Sequence, residues 1–444
     1  MFTSVLYVKS PVLLQSALIS VRGLVRKLIR ENRKSRVLCS QIIKNETDAE
    51  ALDKYSTRML EKTLTNAVEN VEAYSIVQTS GKDQLDGFPL LDKDGLRRGR
   101  DRYESNIKPI IVVRGSTSGT TGTPLEVPQP LNSVIREQAF ISRMLLWAGF
   151  EKGDKRAWIR GDLIVPAAQK TGPYWRYSWF ENMILMSSFH MKQDVLPQYI
   201  DAMVRFGVNV VRAYPSSIVT LAKYLESRDE YYPGRLKSII TSSEYLSPKH
   251  RHLVEERFRC KVFDWYGQFE RVAAIANCEH GRYHILTDYS HVELIGSGRG
   301  RYEIVGTSFT NNLYPLIRYR TGDHVLLSEE TVCPCGRVYP LVKGIEGRVV
   351  DYVFATSGHK VFALDQCVKG VSGVLGSQYV QSEKGQIEVR VVADSCFDSA
   401  AISKLIYNVK VRLGEDMFVS VVEVEMLERT INGKVRQAIC NVKD

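Results

Sequence analysis

Between residues 107 and 265, short β-rich runs alternate with helical stretches, and this alternation does most to limit what the chain can fold into. Extended runs near 110–113, 157–165, 208–213, 236–241 and 261–265 are separated by segments of helical spacing at 134–148, 195–206, 216–227 and 247–258. Strand followed by helix, repeated, requires crossover connections, so the pattern predicts an α/β fold: a parallel sheet with helices on its faces. Residues 46–77 also read as helical, with apolar residues three and four apart and no Gly or Pro. From 283 the texture becomes a meander, with strands around 291–295, 301–307 and 323–328, which predicts a β subdomain over about 283–340 appended to the core. After about 345 a strand (349–354), a helical segment (363–369), two strands (378–382, 386–393), a helix (399–412) and a last strand (418–427) compose a small α+β domain. The chain therefore divides into a core, 1–345, and a second domain, 346–444, with a hinge at Gly344–Arg348.

Composition excludes several classes. With 444 residues, 44% of them hydrophobic, the chain is neither a disordered tail nor a small disulfide-stapled scaffold. Eight cysteines are too sparse for a disulfide framework and point to a reducing, cytoplasmic setting. The run Ser10–Val21 is short and lacks a cleavage site of small residues, which argues against a secretory peptide, and nothing approaches the apolar length of a membrane span. Residues 11–36 form a basic amphipathic helix: Leu13, Leu14, Leu18, Val21, Leu24, Val25 and Leu28 recur at helical spacing among Arg22, Arg26, Lys27, Arg30, Arg33, Lys34 and Arg36. Its bland reading is an apolar stripe packed on the domain. The other is peripheral attachment to an anionic bilayer at the inner membrane face. The formal charge of +10 admits nucleic acid, but no recognition motif or aromatic-basic interleaving accompanies it.

The most informative segment is Gly115–Pro124, which follows a β run and is Gly, Ser or Thr at every position from 115 to 123. Glycines let backbone N–H groups close on an anion and hydroxyls add donors, so Ser116, Thr117, Ser118, Gly119, Thr120, Thr121 and Gly122 read as a phosphate cradle. No Gly-Lys-Ser/Thr follows, which excludes the Walker pattern. Near the other end, Asn432-Gly433 favours a tight turn that presents Lys434, and a mobile cation suits a step in which two anions meet.

Ser118-Gly-Thr-Thr-Gly-Thr-Pro124 resembles the phosphate loop of the adenylate-forming superfamily, and further matches follow in the family's order. Ser243 and Glu244 are similar to its adenine-side segment. Asp264-Trp265-Tyr266-Gly267-Gln268-Phe269-Glu270 resembles the motif in which Tyr266 would stack on adenine and Glu270 would hold Mg²⁺. Arg318–Asp323 matches the segment whose Asp323 binds the ribose hydroxyls, Arg348 with Asp351 the hinge, and Asn432-Gly433-Lys434 the motif ending in the catalytic lysine. Three positions depart from the pattern: Leu125 replaces a lysine, Phe269 a hydroxyl residue and Val350 an acid. Within the superfamily the chain is most similar to the phenylacetate-CoA ligase family and its CapK-like branch, linked with capsular polysaccharide. Ser10–Gln15, Phe88–Leu91, Ser187–Met191, Ala213–Ser217 and Cys333–Arg337 carry that similarity.

The resemblance implies that ATP activates a carboxylic acid as acyl-AMP with release of pyrophosphate. Transfer to an acceptor follows: coenzyme A, a carrier thiol, or an amine such as an amino sugar of the polysaccharide machinery. It implies a metal as well. Cys278, His284, Cys333 and Cys335 would complete a tetrahedral zinc site, with His280 a rival ligand and ordinary buried thiols the other reading. His190 falls where relatives place residues facing the acyl pocket or thiol channel, with a packed core or surface histidine the other reading, and Trp175 and Tyr214 are candidate pocket walls on the same grounds. The Arg160-Gly-Asp162 tripeptide lies inside the alternating core, so no adhesion role follows. The missing loop lysine, Phe269 and Val350 leave a second reading, a nucleotide-binding scaffold that has lost catalysis.

Overall fold

The computed structural model describes residues 2, 4–77, 85–116, 125–166, 168–298, 300–346, 352–361, 364–430 and 432–442. Parts of two expected motifs lie outside them: Thr117–Gly122 of the phosphate cradle, and Arg348 with Asp351 of the hinge.

Among the described residues, twelve strands form one sheet in the order Ser290–Gly296, Arg301–Ser308, Tyr319–Leu327, Leu341–Glu346, Tyr283–Ile285, Ala274–Asn277, Lys261–Gly267, Ser238–Ser242, Val210–Ala213, Arg156–Ile159, Met183–Met186, Trp175–Ser178. The strands from Met183–Met186 to Lys261–Gly267 pair in parallel, and the remainder are antiparallel. The expected meander is present, and it continues the core sheet by hydrogen bonding through Tyr283–Ile285 rather than standing beside it. Helices Leu196–Phe206, Pro215–Ser227 and Pro248–Phe258 are the crossovers. Local chemistry fixes their ends: Pro215 and Pro248 open helices where a missing N–H costs nothing, and Gly207 closes one at φ +73°.

One face of the sheet packs Ala157, Ile159, Val211 and Ala213 into the larger core cluster, and the other packs Val210, Ile240 and Phe263 against helix Leu131–Trp147. Within that second layer Arg143 is buried against Asp288 and Tyr339. The carboxylate and the phenol compensate its charge, which an unpaired partner could not survive at this depth.

The basic N-terminal segment differs from the expected single helix. Asn32 accepts the Ser35 N–H and starts a second helix, so the segment divides into Val12–Arg30 and Arg33–Asn45. The apolar stripe also faces the other way. Gln15, Ser16, Ile19, Ser20 and Gly23 pack inward, while Leu13, Leu14, Val21, Val25 and Leu28 are exposed. The reason lies in what the helix covers, the outermost strand Trp175–Ser178. Ser16 and Ser20 accept the backbone N–H groups of Tyr177 and Trp179, and a Cβ at Gly23 would sit 2.2 Å from Glu181 Oε2. An edge strand needs polar and small partners, so the polar face is the docked one.

The second domain is a four-stranded sheet, Phe418–Glu423, Gln386–Ala393, Val374–Gln381 and Ala438–Cys440, covered by helix Ser399–Leu413 around its own core. It docks on the strand ends of the first domain through Lys192–Glu425, Lys223–Val374 and the contacts below. No helix among the described residues is long and apolar enough to cross a membrane.

Candidate active site

The site lies where the parallel strands end, the position at which open α/β sheets bind ligands. Strand Val112–Ser116 pairs antiparallel with Glu126–Pro130 in a stem of five registered pairs. A Cβ on Gly115 would lie 2.5 Å from Phe269 Cζ, so the ring packs directly on this stem. Phe269 belongs to the same apolar cluster as Leu125, which is 2% exposed. Two of the three departures from the family pattern, Leu125 and Phe269, thus fill one patch beneath this strand pair.

Glu270 and Asp323 are both buried near this patch. Tyr319 Oη lies 3.5 Å from Glu270 Oε1, and Tyr266 donates its hydroxyl to Asp323 Oδ2 at 2.8 Å. Gln268 donates in turn to Tyr266 and accepts the Ala273 N–H, which fixes the strand end. Burial and the Asp323 carboxylate push the Tyr266 phenol far up, so it remains a donor. Asp323 is reached through a turn: Gly322 takes φ +72° and the Asp323 N–H bonds Thr321 Oγ1. Arg318 and Arg320 clamp Glu293 and Glu303 and serve the meander.

Asp264 is held differently from its motif neighbours. Its carboxylate accepts Thr241 Oγ1–H at 2.7 Å and the Tyr283 hydroxyl at 3.1 Å, a link between strands, while burial pushes the acid up. Trp265 packs on the second core layer, and its indole lies 2.8 Å from where a Gly267 side chain would begin.

Ser243 adopts φ +73°, a strained conformation for a residue with a Cβ, and accepts Arg160 Nη2–H at 2.8 Å. Glu244 joins the domains. It accepts the Ser216 N–H at 2.8 Å and hydroxyl at 3.1 Å, and also the Val435 N–H at 3.1 Å from the second domain. Burial raises this acid, against the pull of Ser216 and Arg429.

Asn432, Gly433 and Lys434 form the tight turn that their sequence predicts. Gly433 takes φ +73°, its N–H bonds Thr430 O, and the Thr430 N–H bonds Lys434 O at 2.8 Å. The turn is seated on the core: Tyr214 donates its hydroxyl to Asn432 O at 3.1 Å. A Cβ at Gly161 would lie 1.7 Å from Asn432 O, and one at Gly433 would lie 2.4 Å from Gly161 Cα. Two glycines make this approach possible. Gly161, Arg160 and Ser216 were not singled out as site residues by the sequence reading; a glycine directly after a parallel strand was the available signal. His190 is buried, stacked on Tyr174 at 4.7 Å with Nδ1 on Ser187 Oγ, and its neighbour Ser188 borders Gly433. Trp175, in the outermost strand, packs on Tyr199, whose hydroxyl donates to Ser187 O at 2.6 Å.

Away from the turn, Cys278, His284, Cys333 and Cys335 converge, their ligand atoms all within 4.8 Å of one another. Cys278 Sγ to Cys333 Sγ is 3.6 Å and Cys335 Sγ to His284 Nε2 is 3.5 Å. Tetrahedral Zn–S and Zn–N bonds put such atoms about 3.5–3.8 Å apart. The donor set therefore fits zinc. His280 is exposed and outside the set, and its backbone N–H points at Cys278 Sγ instead. Burial pushes the Cys333 thiol up to about 12 and the His284 imidazole down to about 4, so the imidazole is neutral and a cation is what would ionise the thiols. None of the cysteines forms a disulfide.

A family model described as the CapK C-terminal domain matches residues 353–441. Protein CapK of Staphylococcus aureus is 26% identical over 450 residues, 99% of each chain. The phenylacetate-coenzyme A ligase of Pseudomonas putida is 25% identical over 58% of this chain and 60% of its own. Among solved structures, 2-hydroxyisobutyryl-CoA ligase in the postadenylation state with R3-HIB-AMP superposes with TM-score 0.64 at 18% identity, covering 88% of this chain and 90% of that one. The same ligase with 2-HIB-AMP and CoA in the thioesterification state gives 0.51 at 18% identity, covering 89% of this chain and 90% of that one. The chain is thus similar along its whole length to CapK, its residues 353–441 match the CapK C-terminal domain, and its fold is that of a CoA ligase.

Proposed function

We propose that the protein activates a carboxylic acid with ATP and transfers the acyl group to a thiol or amine. The carrying observation is the seat of the Asn432–Lys434 turn on Gly161, Tyr214 and Glu244, just past the ends of three neighbouring parallel strands. In the reaction a substrate carboxylate oxygen attacks the α-phosphorus of ATP, the bond to the bridging oxygen breaks, and pyrophosphate leaves. Lys434 would stand between the approaching anions, where charge crowds most. Asp323 would bind the ribose hydroxyls, Tyr266 would face adenine, and Glu270 would hold Mg²⁺, which neutralises phosphate charge. The acyl-adenylate then meets coenzyme A, a carrier thiol or the amine of an amino sugar, which would place the enzyme in capsular or exopolysaccharide synthesis; a structural neighbour binds CoA and the whole-length relative is CapK. Acid-dependent ATP–pyrophosphate exchange across aryl, fatty, hydroxy and amino acids tests this reading. Exchange with none of them, with ATP binding intact, would leave the nucleotide-binding scaffold.

Zinc would be structural in this protein, tying the Asn277–Tyr283 connection to the segment before Leu341–Glu346. Protein purified without chelator should carry one zinc per chain by elemental analysis. Cys333→Ser should lose it and unfold roughly 5 °C lower, given folding energy stored in such sites. Metal-free wild-type protein of unchanged stability would end the assignment.

A second contact follows from the inverted N-terminal helix. Its exposed Leu13, Leu14, Val21, Val25 and Leu28, beside exposed Val5 and Leu6, are flanked by Lys9, Lys27, Arg33, Lys34 and Arg36. An apolar face rimmed by cations matches an anionic bilayer. The protein should float with vesicles containing phosphatidylglycerol, less so at high salt, and Leu14→Glu with Leu28→Glu should abolish flotation. Absence of flotation, with a dimer that the same substitutions dissociate, would assign the face to a second copy.

A further inference from the structure

On the sheet face opposite Ala157 and Ile159, the residues Arg156, Trp158 and Arg160 alternate along one strand and its end. Arg212 is the register partner of Trp158 on the adjacent parallel strand. The guanidinium groups of Arg160 and Arg212 each lie 5.0 Å from the Trp158 ring centre, and Arg160 is also 4.9 Å from that of Tyr214. Arg22, Arg26 and Arg30 approach from the docked side of helix Val12–Arg30, and Arg26 is close enough to perturb both Arg156 and Arg212.

Six arginines gathered in this way repel one another, and opposing charge is short. Among the described residues none of the six has a carboxylate within 4 Å, though Glu31, Asp162 and Glu181 act at longer range. Asp162 is occupied by the Trp158 indole and Glu181 by Ser178, while Glu137 is paired with Arg271. The Nε–H groups of Arg26 and Arg156 are buried without an acceptor, and Arg212 has no hydrogen-bond partner among the described residues. Burial, then the neighbouring arginines, press the Arg212 guanidinium down to about 9. An arrangement of this kind weakens the fold by itself and is relieved by an anion. All six side chains keep part of their surface accessible.

The cluster begins beside the catalytic turn, because Arg160 holds Ser243 and the next residue, Gly161, receives Asn432. An acid whose carboxylate reaches Lys434 has this face within reach of its other end. We infer that the acid activated here carries a second anionic group, a carboxylate or a phosphate, held by Arg160 and Arg212 across the Trp158 ring. The inference rests on the acid-activating function proposed above.

The test compares pyrophosphate exchange for acids of matched length: butyrate and hexanoate against succinate and adipate for a carboxylate, and glycerate against 3-phosphoglycerate for a phosphate. The dianionic members should exceed their partners by about 100-fold in kcat/KM, as expected for two charge-assisted hydrogen bonds. Arg212→Gln should remove most of that preference and leave exchange with the monoanions unchanged, while Arg212→Lys should retain part of it. Which dianion is preferred identifies the second group. Equal or better exchange with the monoanions overturns the inference alone, as does an Arg212→Gln loss of the same size for both classes. Exchange with no acid of any class, with ATP binding intact, overturns the adenylation reading on which it rests.

Discussion

Lys434→Ala is expected to lower acid-dependent ATP–pyrophosphate exchange by about 10²- to 10³-fold while ATP binds as before, the usual scale for one preorganised charge lost from a transition state. The turn that presents this lysine is built from backbone bonds among Thr430, Gly433 and Lys434, so truncating the side chain leaves the seat on Gly161 and Tyr214 in place. The ammonium acts only where the carboxylate and the α-phosphate converge, and ground-state ATP gains little from it. Isothermal titration with ATP and an exchange assay on the same preparation check both halves. Exchange at the wild-type rate would remove Lys434 from the chemistry.

A second loss of similar size is expected at a residue that itself carries no charge. Gly161→Val should reduce exchange by about 10²-fold or more, because a Cβ there would stand 1.7 Å from Asn432 O and the obstacle is backbone, which cannot swing aside. The variant leaves the core intact, so ATP binding should persist and thermal stability should change little. What changes is the docking of the second domain, which small-angle scattering reads as an increase in radius of gyration. Combining Gly161→Val with Lys434→Ala should cost scarcely more than either alone, since a lysine that never arrives cannot be lost twice. Additive losses would mean that the two residues act in separate steps.

Much of this was legible before any coordinates. The three crossover helices, and the helix and central strands of the C-terminal sheet, follow from periodicity and caps, and their observed bounds differ from the expected ones by a few residues. Three features were not legible, each for a physical reason. The strands Trp175–Ser178 and Met183–Met186 are short, with only a single 3₁₀ turn between them, so periodicity had nothing to grip. The docked face of Val12–Arg30 was misread because hydrophobicity assigns a helix's apolar side to the core, whereas an exposed strand edge selects serine and glycine. The arginine cluster joins residues from three separate elements, and pairing register alone puts Arg212 beside Trp158. At the site, Glu270, Asp323 and Lys434 were readable as motifs. Gly161 was passed over inside a tripeptide better known for another purpose, though its lack of a side chain is what admits the turn.

The shared patch of Leu125 and Phe269 makes two apparent losses one change. A lysine placed alone at 125 would be forced into an environment with 2% exposure, against an aromatic ring, and a threonine placed alone at 269 would leave a void against Gly115. Neither substitution is accommodated by itself, because the patch is packed for both residues as they stand. Positions 125 and 269 therefore constrain one another, and a change at either is felt at the other.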